Sequence, residues 1–161
     1  MIWVLRPGKE GMYYTQFISE QKLFLPWSGY NVDLRSLKTR DDFRNIVIQE
    51  KHPEARTTVS NWSAQLYSFC FEMSENDIVL VPSRRSKDFA VTKLIGDYYY
   101  EKDGFFHHFR DYDLITEGIP RSCFTQSTQY SLGAYRTLFK VKQESEIMQV
   151  LMRFTKVEKE S

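Results

Sequence analysis

Aromatic and cationic side chains are concentrated in residues 76–116, and together they suit the binding of nucleic acid. Residues 98–100 are three consecutive tyrosines at the end of a predicted strand, and Arg84, Arg85 and Lys87 stand in the turn that precedes this strand. Aromatic rings stack on bases, and cationic side chains contact phosphates. Nucleic-acid binding is therefore the first function that the sequence suggests, although the same residue types also build ordinary β-barrels.

The residue types that catalyse reactions occur in no recognisable arrangement. His107 and His108 are adjacent in a predicted strand, so their side chains point to opposite faces and cannot bind one metal ion together. One surface histidine and one packed histidine is the plainer interpretation. The sequence also lacks a GxSxG motif, a phosphate-binding glycine loop and the carboxylate and Glu-x-Lys set of a metal-dependent nuclease. We therefore expect no enzymatic activity, no cofactor and no metal.

Length and composition limit the class of protein. The 161 residues fit one domain, no stretch approaches the roughly 18 apolar residues of a membrane span, and the first residues do not resemble a signal peptide. Cys70 and Cys123 lie far apart and outside any CxxC motif, which predicts neither a disulfide framework nor a zinc site and favours the cytoplasm. The net charge is only +1, so any nucleic-acid contact must come from a local basic patch.

The elements that position these side chains are predicted from periodicity and turn residues. Strands are expected at 2–5, 23–27, 78–81, 89–100, 105–115 and 138–141. One helix is expected between an N-cap at Thr39 and His52, another after an N-cap at Ser60, and an amphipathic helix at 143–154. The predicted fold class is α+β, with a small, mostly antiparallel β-barrel at 1–142 and flanking helices. The terminal helix and tail at 143–161 are assigned to the same domain.

An ordered series of short motifs runs through most of the chain. Its members are Trp3, Arg6, Gly8 and Gly11; Trp27; Asp33 and Leu34; Asn61, Gln65, Leu66 and Phe69; the segment 76–83; the segment 95–100; His108 and Arg110; and the segments 131–133 and 137–139. This order resembles the EVE-like members of the PUA superfamily, in particular the domain at the N-terminus of Mrr-like and other modification-dependent restriction proteins. The resemblance extends from residue 2 to about residue 141.

The resemblance implies a compact PUA/EVE-like barrel with flanking helices and a pocket on one side. Related domains take a flipped, modified base, such as 5-methylcytosine, 5-hydroxymethylcytosine or N6-methyladenine, into an aromatic cage. The sequence departs from the family at 113–115, where Asp-Leu-Ile replaces the usual Val-Glu-Trp-Leu and one aromatic residue is lost. The usual catalytic domain is not in this sequence, so the chain is expected to be a stand-alone reader or a piece of a larger protein.

Base flipping requires aromatic faces that recover the lost stacking and pairing energy. Trp27, in a turn beside Ser28, is the first candidate for a pocket wall, with Tyr98 or Tyr99 opposite it. The alternative for Trp27 is a buried plug of the barrel, since most tryptophan is largely buried. Trp62 is a second candidate, although its place on the apolar face of a helix favours the core.

Polar side chains must complete such a pocket and its surroundings. Asn61 and Ser83 are candidates for hydrogen bonds to the base edge, with helix capping as the alternative for Asn61. Arginine and lysine in turns or at strand ends can meet phosphate oxygens. The candidates are Arg84, Arg85, Lys87, Arg110, Arg121 and Arg136. A solvated surface charge is the alternative for each, and Arg110 could instead be paired within the structure.

The leading hypothesis from the sequence is a non-catalytic domain that reads a flipped, modified base in double-stranded DNA. It would act in a restriction or defence system, with a possible nuclease partner. One alternative is a protein- or small-ligand-interaction module on the same fold, which the near-zero net charge favours. The other is an RNA-binding PUA-like domain.

Overall fold

The computed structural model describes residues 1–83, 85 and 87–160, of which 156–160 are described by their backbone alone. Within this part of the chain, one seven-stranded sheet packs against helices on both faces, which confirms the α+β class. The strands are β1 (Ile2–Leu5), β2 (Lys22–Phe24), β3 (Ile78–Pro82), β4 (Asp88–Leu94), β5 (Tyr99–Tyr100), β6 (His108–Pro120) and β7 (Leu138–Lys140). The α-helices are α1 (Tyr14–Glu20), α2 (Arg40–Lys51), α3 (Arg56–Tyr67), α4 (Gln126–Leu132) and α5 (Glu144–Glu160).

The sheet is curled and open. Six strands follow the order β2-β6-β4-β3-β1-β7, and β5 pairs with β6. Among the described strands only the β1–β3 pair is parallel. Among the described residues no backbone pairing joins β2 to β7, so the mostly antiparallel sheet that the sequence predicts is present but is not closed into a barrel. The outer edge of β7 is bonded to a helix instead, because Leu138 N donates to Gln65 Oε1 at 2.9 Å.

Two hydrophobic clusters lie on the two faces of the sheet. In β1, Trp3 and Leu5 belong to the cluster under α2 and α3, whereas Ile2 and Val4 belong to the cluster under α5. This alternation follows from the two-residue period of a strand. Burial of both faces explains why β1 and β3 are apolar runs rather than alternating sequences.

The structure confirms one of the two predicted helix N-caps and not the other. Thr39 caps α2 as predicted, and it forms a capping box in which Thr39 and Asp42 bond to each other's backbone N–H. The predicted cap at Ser60 is wrong, because α3 already begins after Ala55, which has no side-chain cap. The packing of α3 on the core therefore outweighs the capping preference of serine. A π-helical turn, Ser68–Glu72, continues α3.

The terminal helix α5 packs on its own sheet. Ile147, Val150 and Leu151 are buried against the cluster that contains Ile2 and Val4. Their spacing produces the amphipathic face that the sequence predicts. None of the helices in the described part of the chain is long and apolar enough to cross a membrane.

Candidate functional site

A cavity of about 720 Å³ lies between the end of β2 and the start of β7, two strands that do not pair with each other among the described residues. Three segments form it: the turn after β2, one face of α3, and the residues that precede β7. Its lining residues are Pro26, Trp27, Ser28, Tyr30, Lys51, Thr57, Thr58, Asn61, Trp62, Gln65, Tyr135, Arg136 and Thr137. We call it the tryptophan cavity.

The first wall is a tight turn that follows β2. Gly29 (φ 81°) and Tyr30 (φ 52°) both adopt left-handed backbone conformations, which glycine tolerates well and tyrosine tolerates only when other contacts hold it. Trp27 is half-buried, and its indole N–H donates to Thr137 Oγ1 at 3.2 Å. The Lys51 ammonium lies 3.4 Å from Ser28 Oγ and 5.5 Å from the centre of the Tyr30 ring. The turn and the last residue of α2 thus present an indole and a cation together.

A buried histidine holds this turn from behind. His108 Nε2 lies 2.9 Å from the Tyr30 carbonyl oxygen, which can only accept, so Nε2 carries the proton. Nδ1 therefore accepts a hydrogen bond from the Tyr98 hydroxyl at 2.7 Å, and that hydroxyl accepts from Leu34 N. Burial lowers the pKa of His108 to about 4. The network is thus neutral and fully bonded, and it fixes the Tyr30 backbone.

The second wall is a polar face of α3. Thr57, Asn61 and Gln65 are spaced four residues apart and lie on one side of the helix. Gln65 is buried and donates to Asn61 Oδ1 at 2.7 Å while it accepts from Leu138 N. Among the described residues, the Asn61 side chain takes part in this hydrogen bond alone, through its oxygen. Its side-chain N–H groups are therefore available to a ligand.

Further aromatic surface surrounds the cavity. Trp62 is half-buried on α3, and Tyr135 is 96% exposed in the segment before β7. The Arg6 guanidinium lies 5.6 Å from the centre of the Tyr135 ring, a cation–π distance. Two half-buried indoles and one exposed phenol therefore face one space.

Two more cavities, each of about 690 Å³, adjoin the tryptophan cavity. The three share Arg136, and together they form what we call the basic groove. Its cationic residues are Arg6, Lys9, Lys51, Arg56, Arg85, Arg136, Lys140 and Lys142, and its acidic residues are Glu10 and Glu72. The groove thus holds eight of the 22 lysines and arginines and two of the 21 acidic residues. A nearly neutral chain therefore has one distinctly basic surface.

Six predicted site residues meet at this groove. Trp27, Ser28, Asn61, Trp62, Arg85 and Arg136 all line it. Trp27 and Trp62 are both half-buried: each borders the cavity and each also packs against the hydrophobic core, so the core alternative holds in part for both. Capping does not describe Asn61, since it lies in the middle of α3.

The other predicted pocket residues lie elsewhere. Tyr98 is 3% exposed within the core, where its hydroxyl is bonded to His108, so it cannot form the wall opposite Trp27. Tyr99 stacks on Phe109 and donates to Asp111, away from the cavity. Ser83 lies in the turn between β3 and β4 and lines none of the three cavities.

Three of the six predicted phosphate contacts lie outside the groove. Arg110 is 1% exposed and donates to backbone carbonyls, so the alternative of internal pairing is correct. Arg121 donates to Gln129 O at 2.8 Å and holds α4. Lys87 is exposed but does not line the groove. Arg84 falls outside the described residues.

Several groove residues were not predicted. Tyr135 follows Gly133 and Ala134 and precedes Arg136, and an aromatic residue beside arginine in such a turn is a signal of exposure that could have indicated it. Arg56, Lys140 and Lys142 gave no comparable signal, because they join the groove only when α3 packs beside β7.

In the described part of the chain, no three histidine, cysteine or acidic residues are grouped to hold a metal ion. The expectation of one surface histidine among His107 and His108 is wrong, since both are buried. His107 Nδ1 bonds to Glu101 O at 2.8 Å. The histidines therefore have structural partners.

Comparison with known proteins places the chain in a sequence family. Residues 3–141 match the model of a domain of unknown function (DUF8426), and the chain belongs to that family. Neither the curated proteins nor the solved structures contain a significant match to it. The matched residues include those that line both walls of the tryptophan cavity.

Proposed function

We propose that the protein is a non-catalytic nucleic-acid-binding domain that reads a flipped, modified base in double-stranded DNA. The observation that supports this proposal is the position of two half-buried tryptophans inside the basic groove of an otherwise charge-balanced chain. Indole faces can stack on a base, while Arg136 and the neighbouring cations can contact the phosphates.

The size and polarity of the cavity agree with a base as ligand. Its volume of about 720 Å³ lies within the roughly 300–1,000 Å³ of small-molecule sites, so one modified base fits. Asn61 offers amide N–H donors on the α3 wall, and Ser28 offers a hydroxyl on the opposite wall. These groups can bond to the edge of a base that stacks on Trp27 or Trp62.

The wider assignment follows the sequence resemblance. The curled sheet with flanking helices is compatible with a PUA/EVE-like barrel whose β2 and β7 edges have separated to admit the cavity. In this proposal the domain acts in the cytoplasm as the recognition part of a restriction or defence system. A separate nuclease would then cut the DNA that it binds.

A binding titration at low salt tests the proposal. Matched 12-base-pair duplexes carry no modification, N6-methyladenine, 5-methylcytosine or 5-hydroxymethylcytosine, and a single-stranded RNA of the same sequence is included. Low salt is used because phosphate contacts weaken as salt rises. We expect tighter binding of one modified duplex, and loss of that preference in Trp27→Ala.

Two results would overturn the proposal. A preference for the single-stranded RNA would indicate an RNA-binding domain. Absence of binding to every oligonucleotide would indicate a protein- or small-ligand-binding module. Exposed Lys93 and Lys102 lie outside the groove, so their replacement by alanine provides a control for charge loss.

A further inference from the structure

The basic groove has two arms, and they open from different walls of the tryptophan cavity. The first arm, with Arg6, Lys9 and Arg85, shares the Trp27 and Tyr135 wall. The second arm, with Arg56, Lys140 and Lys142, shares the α3 wall at Thr57, Asn61 and Gln65. The lining of one arm has only Arg136 in common with that of the other.

The first arm is built on the loop that follows β1. Arg6 N donates to Thr137 O at 2.8 Å, and the Arg6 side chain lies over Tyr135, so this cation is held beside the cavity mouth. Lys9 and Arg85 are exposed and also line this arm. Glu10 is the acidic residue that lines this arm. The arm is therefore positively charged, with one cation in a fixed position.

The second arm lies between α3 and β7. Arg56 stands at the start of α3, and Lys140 and Lys142 are exposed on and after β7. Glu72 is the acidic residue in its lining. Within the described residues, none of the cations of the two arms forms an ion pair with a carboxylate. Their charge is thus available to an anionic ligand.

We propose that the tryptophan cavity reads a nucleotide inside a continuous strand, with the phosphates on its two sides bound by the two arms. This inference rests on the proposed function and specifies its substrate. A free nucleotide or a terminal nucleotide would leave one arm empty. Arg136, which lines all three cavities, is placed to contact the phosphate of the nucleotide that enters the cavity.

Single-stranded heptamers of equal charge test the inference. Each contains one base, at position 1, 4 or 7, and six abasic positions, so that only the placement of the base relative to the phosphates differs. Separate series carry cytosine, 5-methylcytosine, adenine and N6-methyladenine. For the base that is read, we expect position 4 to bind about tenfold more tightly than position 1 or 7, because charge-assisted contacts on one side are lost at either end.

Arm variants provide a reciprocal readout. Arg6→Ala with Lys9→Ala is expected to weaken one end-placed probe and spare the other, and Lys140→Ala with Lys142→Ala is expected to do the reverse. Both pairs should weaken the central probe about tenfold. Lys93→Ala with Lys102→Ala removes the same charge outside the groove and should change no probe by more than about twofold. Thermal unfolding checks that each variant folds.

The possible failures are distinguishable. Equal binding of the three placements, with a base preference retained, would overturn the two-arm inference and leave the base-reading function intact. Equal weakening of both end-placed probes by each arm variant would have the same meaning. Absence of binding to all heptamers and to all the 12-base-pair duplexes would overturn both.

Discussion

Trp27 and Thr137 lie 110 positions apart in the sequence, and the Trp27 indole N–H donates a hydrogen bond to Thr137 Oγ1 at 3.2 Å. Trp27 follows β2 and Thr137 precedes β7, so the bond crosses the gap between the two end strands. The carbonyl of Thr137 also accepts from Arg6 N. Thr137 therefore orients Trp27 in the cavity wall and also holds the backbone of Arg6 in the first arm.

Thr137→Val removes this acceptor at nearly constant side-chain volume. We expect the free energy of unfolding to fall by about 1 kcal/mol, since the bond is partly buried, and the affinity for the preferred duplex to fall several-fold because the indole loses its orientation. Urea denaturation and a binding titration measure the two effects. Thr137→Ser keeps the hydroxyl and should retain both properties. In a Trp27→Phe background the valine substitution should add little, and additive effects would show that the two residues do not act as a pair.

Trp62 is the second indole of the cavity. Trp62→Ala is expected to weaken binding of the preferred duplex by tenfold or more, because one stacked base contributes about 1–3 kcal/mol. Phe105, which is 69% exposed and does not line the groove, provides the matched control, and Phe105→Ala should bind normally. Binding by the folded Trp62 variant that equals wild type would remove this side chain from the site.

Strong local signals explain why much of the fold could be predicted. The apolar runs of β1 and β3 and the capping sequence of α2 specify their elements through residues near in sequence. The closure of the sheet could not be predicted in this way. It depends on whether β2 meets β7, and the Gln65 bond to Leu138 N occupies the β7 edge through a residue 73 positions away.

The sequence predicts residues on both walls of the site, but it puts the wrong aromatic residue opposite Trp27. Trp27 and Ser28 lie in a turn that the sequence marks with glycine, so an exposed aromatic wall there was a reasonable prediction. Its position in a run of tyrosines predicts Tyr98 opposite Trp27, but Tyr98 lies just before β5 and its side chain turns inward to His108. One residue of phase separates the buried Tyr98 from the half-buried Tyr99, and neither composition nor spacing determines that phase.

The neutral state of His108 makes stability depend on pH. Burial lowers its pKa to about 4 in the folded chain, against an ordinary value of about 6.5, so the unfolded state binds the proton more readily. The stability that neutral His108 provides is fully present above pH 6.5. As the pH falls toward 4, the free energy of unfolding decreases by up to about 3 kcal/mol. Urea denaturation between pH 7 and pH 5 should show this decline.

The variant His108→Gln isolates the contribution of this histidine. It keeps a donor toward the Tyr30 carbonyl but cannot bind the proton, so we expect a less stable protein at pH 7 whose stability declines less between pH 7 and pH 5. Parallel pH profiles for wild type and His108→Gln would contradict a neutral, buried role.

Substitution of Arg110 tests whether this cation has a structural role or binds a ligand. Its guanidinium donates to Phe69 O at 3.1 Å, Met73 O at 2.7 Å and Gly96 O at 3.0 Å, and burial lowers its pKa. Phe69 belongs to the π-helical turn and Met73 follows it, so the arginine pairs carbonyls where the regular helix ends. Arg110→Met would leave these acceptors buried and unpaired, and we expect a loss of about 3–5 kcal/mol in the free energy of unfolding.

Lysine should not replace Arg110, because one ammonium cannot reproduce the planar fork that reaches three carbonyls. Arg35→Met, which removes an exposed ion pair with Asp33, is the control and should change stability by less than about 1 kcal/mol. Chemical denaturation ranks the three variants. If Arg110→Met unfolded like wild type while oligonucleotide binding disappeared, the residue would be a phosphate contact after all. The three carbonyl bonds predict the opposite order, with stability lost first and the groove unchanged in any molecule that still folds.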